Sequence, residues 1–341
     1  MRFAFSPEQL AARESVRALL ERECTSAHVR SAWSDADGCV RGLSERLAEL
    51  GVLGVLSPEE DGGLGLGEVD LVLLLEECGR YAVPGNIAET AAVAVPLLRD
   101  LATGGRRRWL PAIAAGEAKV AVGFGEAPLV AGAGSADVLL LEHRSEIHAM
   151  EADAVELEPQ PSVDGARRIF RVRWVPSFAT RLAQADVAQR ALDDARDRGA
   201  VAAAAELIGL SRRMLAATVD YVKTRHQFGR PIGSFQAVKH HLADAVVAIE
   251  MAAPAVYRSA YSQARLAPDR SLHASMAKAL ASDAATLVAR KALQCHGAIG
   301  YAFEGDLHMW MKRAWARAAD WGDATSHRAR VARTILAERG T

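Results

Sequence analysis

Two adjacent apolar seams run through residues 193–225, and this stretch constrains the fold more than any other part of the sequence. One seam repeats every seven residues and consists of Val201, Ile208, Leu215 and Val222. The second seam lies beside it and consists of Leu207, Met214 and Tyr221. A helix with two such seams is covered on more than one side, which is typical of the middle of a helical bundle.

Helical segments occupy both ends of the chain, and a short β-rich region separates them. Helical spacing predicts helices over residues 7–23, 40–50, 68–80, 86–103 and 105–116, and again over 193–225, 235–266, 271–294, 307–318 and 325–338. Short β-branched runs bounded by Gly, Pro and Asp predict strands at 120–124, 138–141, 147–149 and 169–174. We therefore predict an α+β, mostly α fold with three domains, which are an N-terminal helical domain (1–118), a small middle β domain (119–185) and a C-terminal helical bundle (186–341).

Charge and composition exclude several classes of function. The 341 residues carry a formal net charge of −1, so no attraction to nucleic acid or to an anionic membrane surface is expected. No run of about 18 apolar residues is present and no signal peptide precedes the first helix, so no membrane insertion is expected. The four scattered cysteines and the histidines lack metal-ligand spacing, which predicts free thiols, no metal site and a cytoplasmic location.

A short connection between two predicted helices, residues 225–236, gathers an unusual set of polar and aromatic side chains. Arg225 and Gln236 can form hydrogen bonds with a phosphate or a carbonyl group, while Phe228 and Phe235 can cover an aromatic ring. This mixture suits a phosphate-bearing aromatic cofactor better than it suits packing alone. The alternative is that Arg225 only stabilises the C-terminal end of the preceding helix dipole.

Four stretches, in the same order along the chain, resemble the acyl-CoA dehydrogenase family. Arg225-x-Gln227-Phe228-Gly229-x-Pro231-Ile232-x-x-Phe235-Gln236 is similar to the flavin signature of that family. The other three matching stretches are residues 49–80, 109–117 and 294–301. The resemblance covers nearly the whole chain. It implies an acyl-CoA dehydrogenase-like fold with an N-terminal helical domain, a middle β domain and a C-terminal four-helix bundle. It also implies FAD as cofactor, an acyl-CoA substrate, and an electron-transfer flavoprotein or a similar acceptor.

The resemblance also implies which residues bind the cofactor. In the family, the matching residues reach across a dimer interface and hold the diphosphate and adenine end of a FAD that is bound mainly by the neighbouring chain. The FAD contacts assigned in this way are Arg225, Gln227, Phe228, Phe235, Gln236, Gln294, Cys295, His296, Gly297, Ala298 and Thr325. Arginine neutralises diphosphate charge, and glycine lets the backbone approach a ligand closely.

The catalytic base is the first point at which the chain differs from the family. Asp323 stands where the resemblance places a glutamate that removes the substrate α-proton. Aspartate is one methylene shorter, and a displacement of about 1 Å can reduce a rate roughly a hundredfold. The alternative for Asp323 is the N-cap of the following helix. A second family position for the base matches the turn 198–201, which has no acid, and Glu206 is expected to be a buried, paired residue.

The β region is the second and larger difference. Residues 126–128 and 132–137 only faintly match the family loops that seat the flavin ring, and residues 134–141 match a later strand of the family equally well. No Trp-Ile-Thr loop is present. The β domain is therefore shortened to about half the usual family size. This pattern resembles the smaller subunits of actinobacterial α2β2 acyl-CoA dehydrogenases that act on steroid side-chain CoA thioesters. It implies a full-length sister subunit that carries the base and most of the ring pocket.

Two other hypotheses remain open. The chain could be a self-sufficient homo-oligomeric acyl-CoA dehydrogenase in which Asp323 is the base. It could also be a non-catalytic assembly protein of the same fold that binds no FAD.

Overall fold

The computed structural model describes residues 4–101, 104–125 and 129–339 and consists mainly of α-helices. The helices are α1 (Pro7–Glu23), α2 (Ser26–Ser34), α3 (Leu43–Glu49), α4 (Glu68–Arg80), α5 (Ile87–Glu89), α6 (Val95–Leu101), α7 (Gly104–Ala114), α8 (Ala185–Thr224), α9 (Gln236–Ala264), α10 (Arg270–His296), α11 (Leu307–Ala319) and α12 (Ala324–Arg339). A π-helical turn, Thr90–Ala94, joins α5 to α6. None of the described helices is both long and apolar enough to span a membrane.

Short strands between α7 and α8 form two small sheets. These strands are β1 (Val120–Gly123), β2 (Leu129–Ala131), β3 (Val138–His143), β4 (Glu146–Glu151), β5 (Glu156–Gln160), β6 (Ile169–Arg173) and β7 (Arg181–Gln184). One sheet has the order β1-β3-β4-β7 and the other β2-β6-β5, with β1 and β3 parallel and the remaining pairs antiparallel. Two further strands, β8 (His226–Gln227) and β9 (Arg230–Pro231), follow α8 and form a separate two-stranded sheet. The predicted fold class, helical at both ends with a small β region between, is confirmed.

Several predicted boundaries differ from the structure. Strands β2, β5 and β7 lie outside the predicted runs. Strand β2 is apolar but only three residues long, whereas β5 and β7 are largely polar and mostly not buried, and so lack an apolar run. Helix α8 begins at Ala185 rather than near residue 193, and residues 198–201 lie inside it, as the predicted helix over 193–225 requires. Helix α2 was not predicted either.

The chain divides into two compact units. One contains residues 1–74 and 83–202, and the other contains residues 75–82 and 203–341. In the first unit, side chains from both sheets share one apolar cluster that includes Val130, Leu139, Leu141 and Met150. The predicted three-domain division at residues 118 and 185 stays a prediction.

Helix α10 is the central element of the second unit. It packs against α9, α11 and α12, and its buried face is built almost entirely from Ala and Ser. Such small side chains let neighbouring helices approach closely. A single lysine, Lys278, interrupts this apolar face and is fully buried. The candidate site residues between Arg225 and Thr325 all lie in this unit.

Candidate functional site

Residues 226–231, within the 225–236 connection, form a tight β-hairpin, which the sequence did not predict. His226 pairs with Pro231 and Gln227 with Arg230, so Phe228 and Gly229 are the two turn residues. Both have positive φ, 53° and 75°, as a two-residue turn of type I′ requires. The hairpin is tied to the end of α8, because the Ile232 N–H donates to the Arg225 carbonyl oxygen at 2.8 Å.

The turn presents its aromatic residues at the surface. The Phe228 side chain is 92% exposed, and its ring meets that of Phe235 edge to face with centroids 6.1 Å apart. The guanidinium of Arg230 lies over the Phe235 ring, 4.2 Å from its centroid. Phe235 is also the N-cap of α9 and provides no side-chain acceptor for the first turn. The N–H groups at the start of α9 therefore remain available as donors, an arrangement that favours a phosphate.

The polar side chains assigned to FAD in this region are exposed. Within residues 4–101, 104–125 and 129–339, no acidic side chain pairs with Arg225, and the amides of Gln227, Gln236 and Gln294 form no hydrogen bond. A guanidinium and three amides without partners can all be directed towards a ligand. Diphosphate oxygens and adenine edges are groups that such donors recognise.

The second assigned segment, residues 294–298, lies at the C-terminal end of α10. The His296 Nδ1–H donates to the Ala292 carbonyl oxygen at 2.9 Å, and burial lowers the pKa of the imidazole, so the ring is held neutral. Gly297 and Ala298 are exposed, whereas the Cys295 side chain is buried and burial raises the pKa of its thiol. Cys295 can therefore meet a cofactor only through its backbone.

Tyr221 connects the two segments. Its ring stacks on the His296 ring with centroids 4.3 Å apart and planes 15° apart. Its hydroxyl donates to the His296 carbonyl oxygen at 3.4 Å. The structure thus brings residues 225–236 and 294–298 together, and we call these two segments the clamp. Their role as FAD contacts stays a prediction.

Asp323 is the N-cap of α12. Its Oδ1 accepts the Ser326 N–H at 2.7 Å, and the side chain is exposed to solvent. The hydrogen bonds from Ser326 hold the pKa of the carboxyl below its usual value, and the nearby Lys278 adds to this effect. A carboxylate with a lowered pKa is a weaker general base. Thr325 is exposed in the first turn of the same helix.

Lys278 holds the loop that leads to Asp323. Its ammonium group donates to the Ser282 hydroxyl at 3.1 Å and to the carbonyl oxygens of Ala318 and Gly322, both at 2.9 Å. Burial lowers the pKa of Lys278 to about 8. Our sequence reasoning missed this residue. The sequence did contain an indication of its role, because Lys278 lies between Ala277 and Ala279 on the apolar face of an Ala-rich helix.

The Asp323 region and the clamp lie at separate places along α10. Lys278, which binds the loop before Asp323, and His296 in the clamp are eighteen residues apart in one helix. At 1.5 Å per residue, this is about 27 Å along the helix axis. Within one chain, the candidate base and the clamp are therefore well separated.

Glu206 and the loop 132–137 have structural partners. Glu206 is buried and accepts a hydrogen bond from Arg317, which confirms the prediction that it is a buried, paired residue. In the 132–137 loop, Asp137 Oδ2 accepts the Lys119 N–H at 2.8 Å. A Cβ at Gly132 would stand 2.2 Å from Asn86 Nδ2, and one at Gly134 would stand 2.6 Å from the Phe170 ring. Residues 126–128 lie outside the described part of the chain.

Comparison with known proteins places the chain in a family. The Acyl-CoA dehydrogenase, N-terminal domain model matches residues 6–117, and the Acyl-CoA dehydrogenase, C-terminal domain model matches residues 184–336. The acyl-CoA dehydrogenase IpdE2 of Mycolicibacterium smegmatis is 34% identical over 312 residues, which cover 91% of this chain and 93% of that protein.

Two solved structures have the same fold. The Tcur3481-Tcur3483 steroid ACAD matches with a TM-score of 0.83 and 25% identity, covering 98% of this chain and 99% of that chain. The ChsE4-ChsE5 complex from Mycobacterium tuberculosis matches with a TM-score of 0.86 and 21% identity, again covering 98% and 99%. The chain therefore belongs to the acyl-CoA dehydrogenase family, the FAD-dependent oxidoreductases that act on the Cα–Cβ bond of acyl-CoA thioesters.

Proposed function

We propose that this chain is one subunit of a heteromeric, FAD-dependent acyl-CoA dehydrogenase. It contributes the clamp for the FAD diphosphate and adenine, and a full-length sister subunit contributes the catalytic carboxylate and most of the flavin-ring pocket. The assembly is an α2β2 heterotetramer, and its substrate is a bulky acyl-CoA with a steroid-derived side chain.

The observation that carries this proposal is the open state of the clamp. Arg225 and the three clamp glutamines are exposed without partners in the described part of the chain, and the start of α9 has no side-chain cap. Exposed donors that no other protein group uses are open to a ligand, and an uncapped helix N-terminus favours an anionic one. The 132–137 loop, which only faintly matches a ring-seating loop, instead packs closely against Asn86 and Phe170 at Gly132 and Gly134.

The chemistry is divided accordingly. A bound FAD would supply the acceptor for the hydride from the substrate β-carbon, and a carboxylate would take the α-proton, so that the substrate is oxidised as the flavin is reduced. In this chain, Arg225 would neutralise diphosphate charge and Phe228 would cover an aromatic face of the cofactor. Asp323 caps a helix and has a lowered pKa, which favours a base from the sister subunit.

The names of two similar structures support the proposed partner and substrate. Two of the similar structures carry paired names, ChsE4-ChsE5 and Tcur3481-Tcur3483, and the second is described as a steroid ACAD. If such an assembly has one active site per pair of chains instead of one per chain, each site has more room for a polycyclic acyl group. The electrons would pass to an electron-transfer flavoprotein or a similar acceptor.

The test is co-expression of this chain with the product of its neighbouring gene. We expect the chain alone to purify without flavin, and the complex to contain one FAD per pair of chains. Arg225→Ala should deplete FAD from the complex, whereas the matched control Lys223→Ala on the exposed last turn of α8 should not. A lone chain that carries one FAD and oxidises acyl-CoA would overturn the proposal.

A further inference from the structure

We infer that Tyr221 is a positioning residue that holds the two clamp segments at a fixed separation for FAD. The inference rests on the proposed function and adds a residue that does not itself match the flavin signature. Tyr221 lies in the last turn of α8, where one residue contacts both segments through its backbone, its ring and its hydroxyl.

The backbone of Tyr221 supports the first segment. Its carbonyl oxygen accepts the Arg225 N–H at 2.9 Å, and the Arg225 carbonyl oxygen in turn accepts the Ile232 N–H. The hairpin that carries Phe228 is therefore attached to the last turn of α8, which begins at Tyr221. A change in this turn would move Arg225 and the hairpin together.

The side chain of Tyr221 supports the second segment. The near-parallel stack covers one face of the His296 imidazole, and the Nδ1–H bond to Ala292 fixes the orientation of that ring. The Tyr221 hydroxyl donates to the His296 carbonyl oxygen at 3.4 Å, and His296 is the last residue of α10. The next residue, Gly297, has a φ of 64° and begins the exposed part of the segment.

Fixing the two segments matters because they are far apart in sequence and must bind one ligand together. If their separation fluctuates, binding FAD must also order the clamp, and that ordering weakens the affinity. The neutral imidazole suits this task, since an unprotonated ring can stack on tyrosine without a buried charge. A pure packing role would instead affect stability without a selective effect on FAD.

The experiment measures FAD affinity by flavin fluorescence during reconstitution of the apo-complex. Tyr221→Leu removes both stack and hydroxyl, and we expect FAD to bind about tenfold more weakly. Tyr221→Phe keeps the stack and should restore most of the affinity. Tyr261→Leu is the matched control, because Tyr261 is a half-buried tyrosine on α9 that packs under Arg265.

A double variant tests whether Tyr221 and His296 act as one unit. If they do, the loss of FAD affinity in the Tyr221→Leu, His296→Ala double variant should be clearly smaller than the sum of the losses in the two single variants. Fully additive effects of the two substitutions on FAD affinity would contradict the inference. Equal losses of affinity in Tyr221→Leu and Tyr261→Leu would also overturn it, because Tyr221 would then act through general stability.

Arg225→Ala distinguishes an error in the proposed clamp from an error in the proposed role of Tyr221. If Arg225→Ala leaves FAD affinity unchanged, the proposed clamp is wrong. If Arg225→Ala weakens FAD binding but Tyr221→Leu does not, the clamp stands and only the positioning role of Tyr221 is wrong.

Discussion

The clamp and the 132–137 loop both contain glycines that match cofactor-binding motifs, but the space around these glycines differs. No atom lies within 4 Å of the place where a Cβ would stand at Gly229 or Gly297. At Gly132 and Gly134, that place is already occupied by Asn86 and Phe170. Open space beside a glycine allows the close approach of a ligand. Where neighbouring protein atoms occupy that space, the glycine is required by packing within the protein.

The polar side chains differ in the same way. Arg225 and Gln236 in the clamp have no partner in the described part of the chain, while every donor of the Lys278 ammonium group is used by the protein. Asp323 is likewise used, as a helix cap. A motif residue whose polar groups already form hydrogen bonds within the chain stabilises the fold, whereas one whose polar groups are unpaired can bind a ligand.

Replacing Lys278 should give the largest effect on stability. Lys278→Ala leaves a cavity and deprives the carbonyl oxygens of Ala318 and Gly322 of their donor, so we expect a loss of about 3–5 kcal/mol in the free energy of unfolding. The measurement is urea denaturation of the purified chain. Lys291→Ala is the control, since Lys291 pairs with Asp244 near the surface and such pairs contribute little. Equal losses for both variants would contradict the assignment of Lys278 as an internal anchor.

The stability of the folded chain should also depend on pH through Lys278. Burial holds the pKa of Lys278 to about 8 in the folded chain, below its ordinary value of 10.5. Between these values the unfolded chain binds a proton that the folded chain lacks, so the contribution of Lys278 to stability rises with pH. Across this window the rise amounts to about 3 kcal/mol.

The neighbours of Lys278 do not change this sign. Asp320 and Asp323 favour the charged ammonium and Arg317 opposes it, but burial outweighs them. The measurement is the stability of the wild type minus that of Lys278→Met between pH 7.5 and about 10. The difference in the free energy of unfolding should shift in favour of the wild type as pH rises. A difference that does not change with pH would show that the lysine is hydrated rather than buried.

A charge change in the clamp should separate binding from stability. Gln236 is the first residue of α9, where a negative side chain favours the helix dipole, so Gln236→Glu should not destabilise the chain. The same charge would repel the FAD diphosphate, and we expect roughly tenfold weaker FAD binding by the complex. Gln189→Glu, on an exposed part of α8, should leave FAD affinity unchanged. Unaltered FAD affinity in Gln236→Glu would place the diphosphate elsewhere.

Local motifs predicted the positions of the clamp segments because those motifs are contiguous in the sequence. The long helices were also predictable, since α9 and α10 carry long alanine-rich runs. The hairpin at 226–231 was not, because it requires a positive φ at Phe228, a conformation that phenylalanine adopts infrequently. The fold class could be predicted, and the strand boundaries in the β region could not.

The role of Lys278 and the closure of the 132–137 loop depend on contacts between distant parts of the sequence. Lys278 binds residues 318 and 322, and Gly132 packs against Asn86. No local pattern indicates such partners, because they come together only when the helices and sheets pack. The distinction between a free and a satisfied motif residue is therefore visible in the structure and not in the sequence.

The smallest expected effect is at Asp323, and it distinguishes a helix cap from a catalytic base. Asparagine is as good an N-cap as aspartate but cannot take a proton, so Asp323→Asn should keep both the melting temperature and the turnover of the co-purified complex. Asp323→Ala removes the cap and should lower the melting temperature by about 2–4 °C, still without loss of turnover. Loss of turnover in Asp323→Asn at unchanged melting temperature would instead identify Asp323 as the base of a self-sufficient enzyme. Asp323 would then be a catalytic group as well as a helix cap, and a hydrogen bond within the chain would no longer indicate a purely structural role.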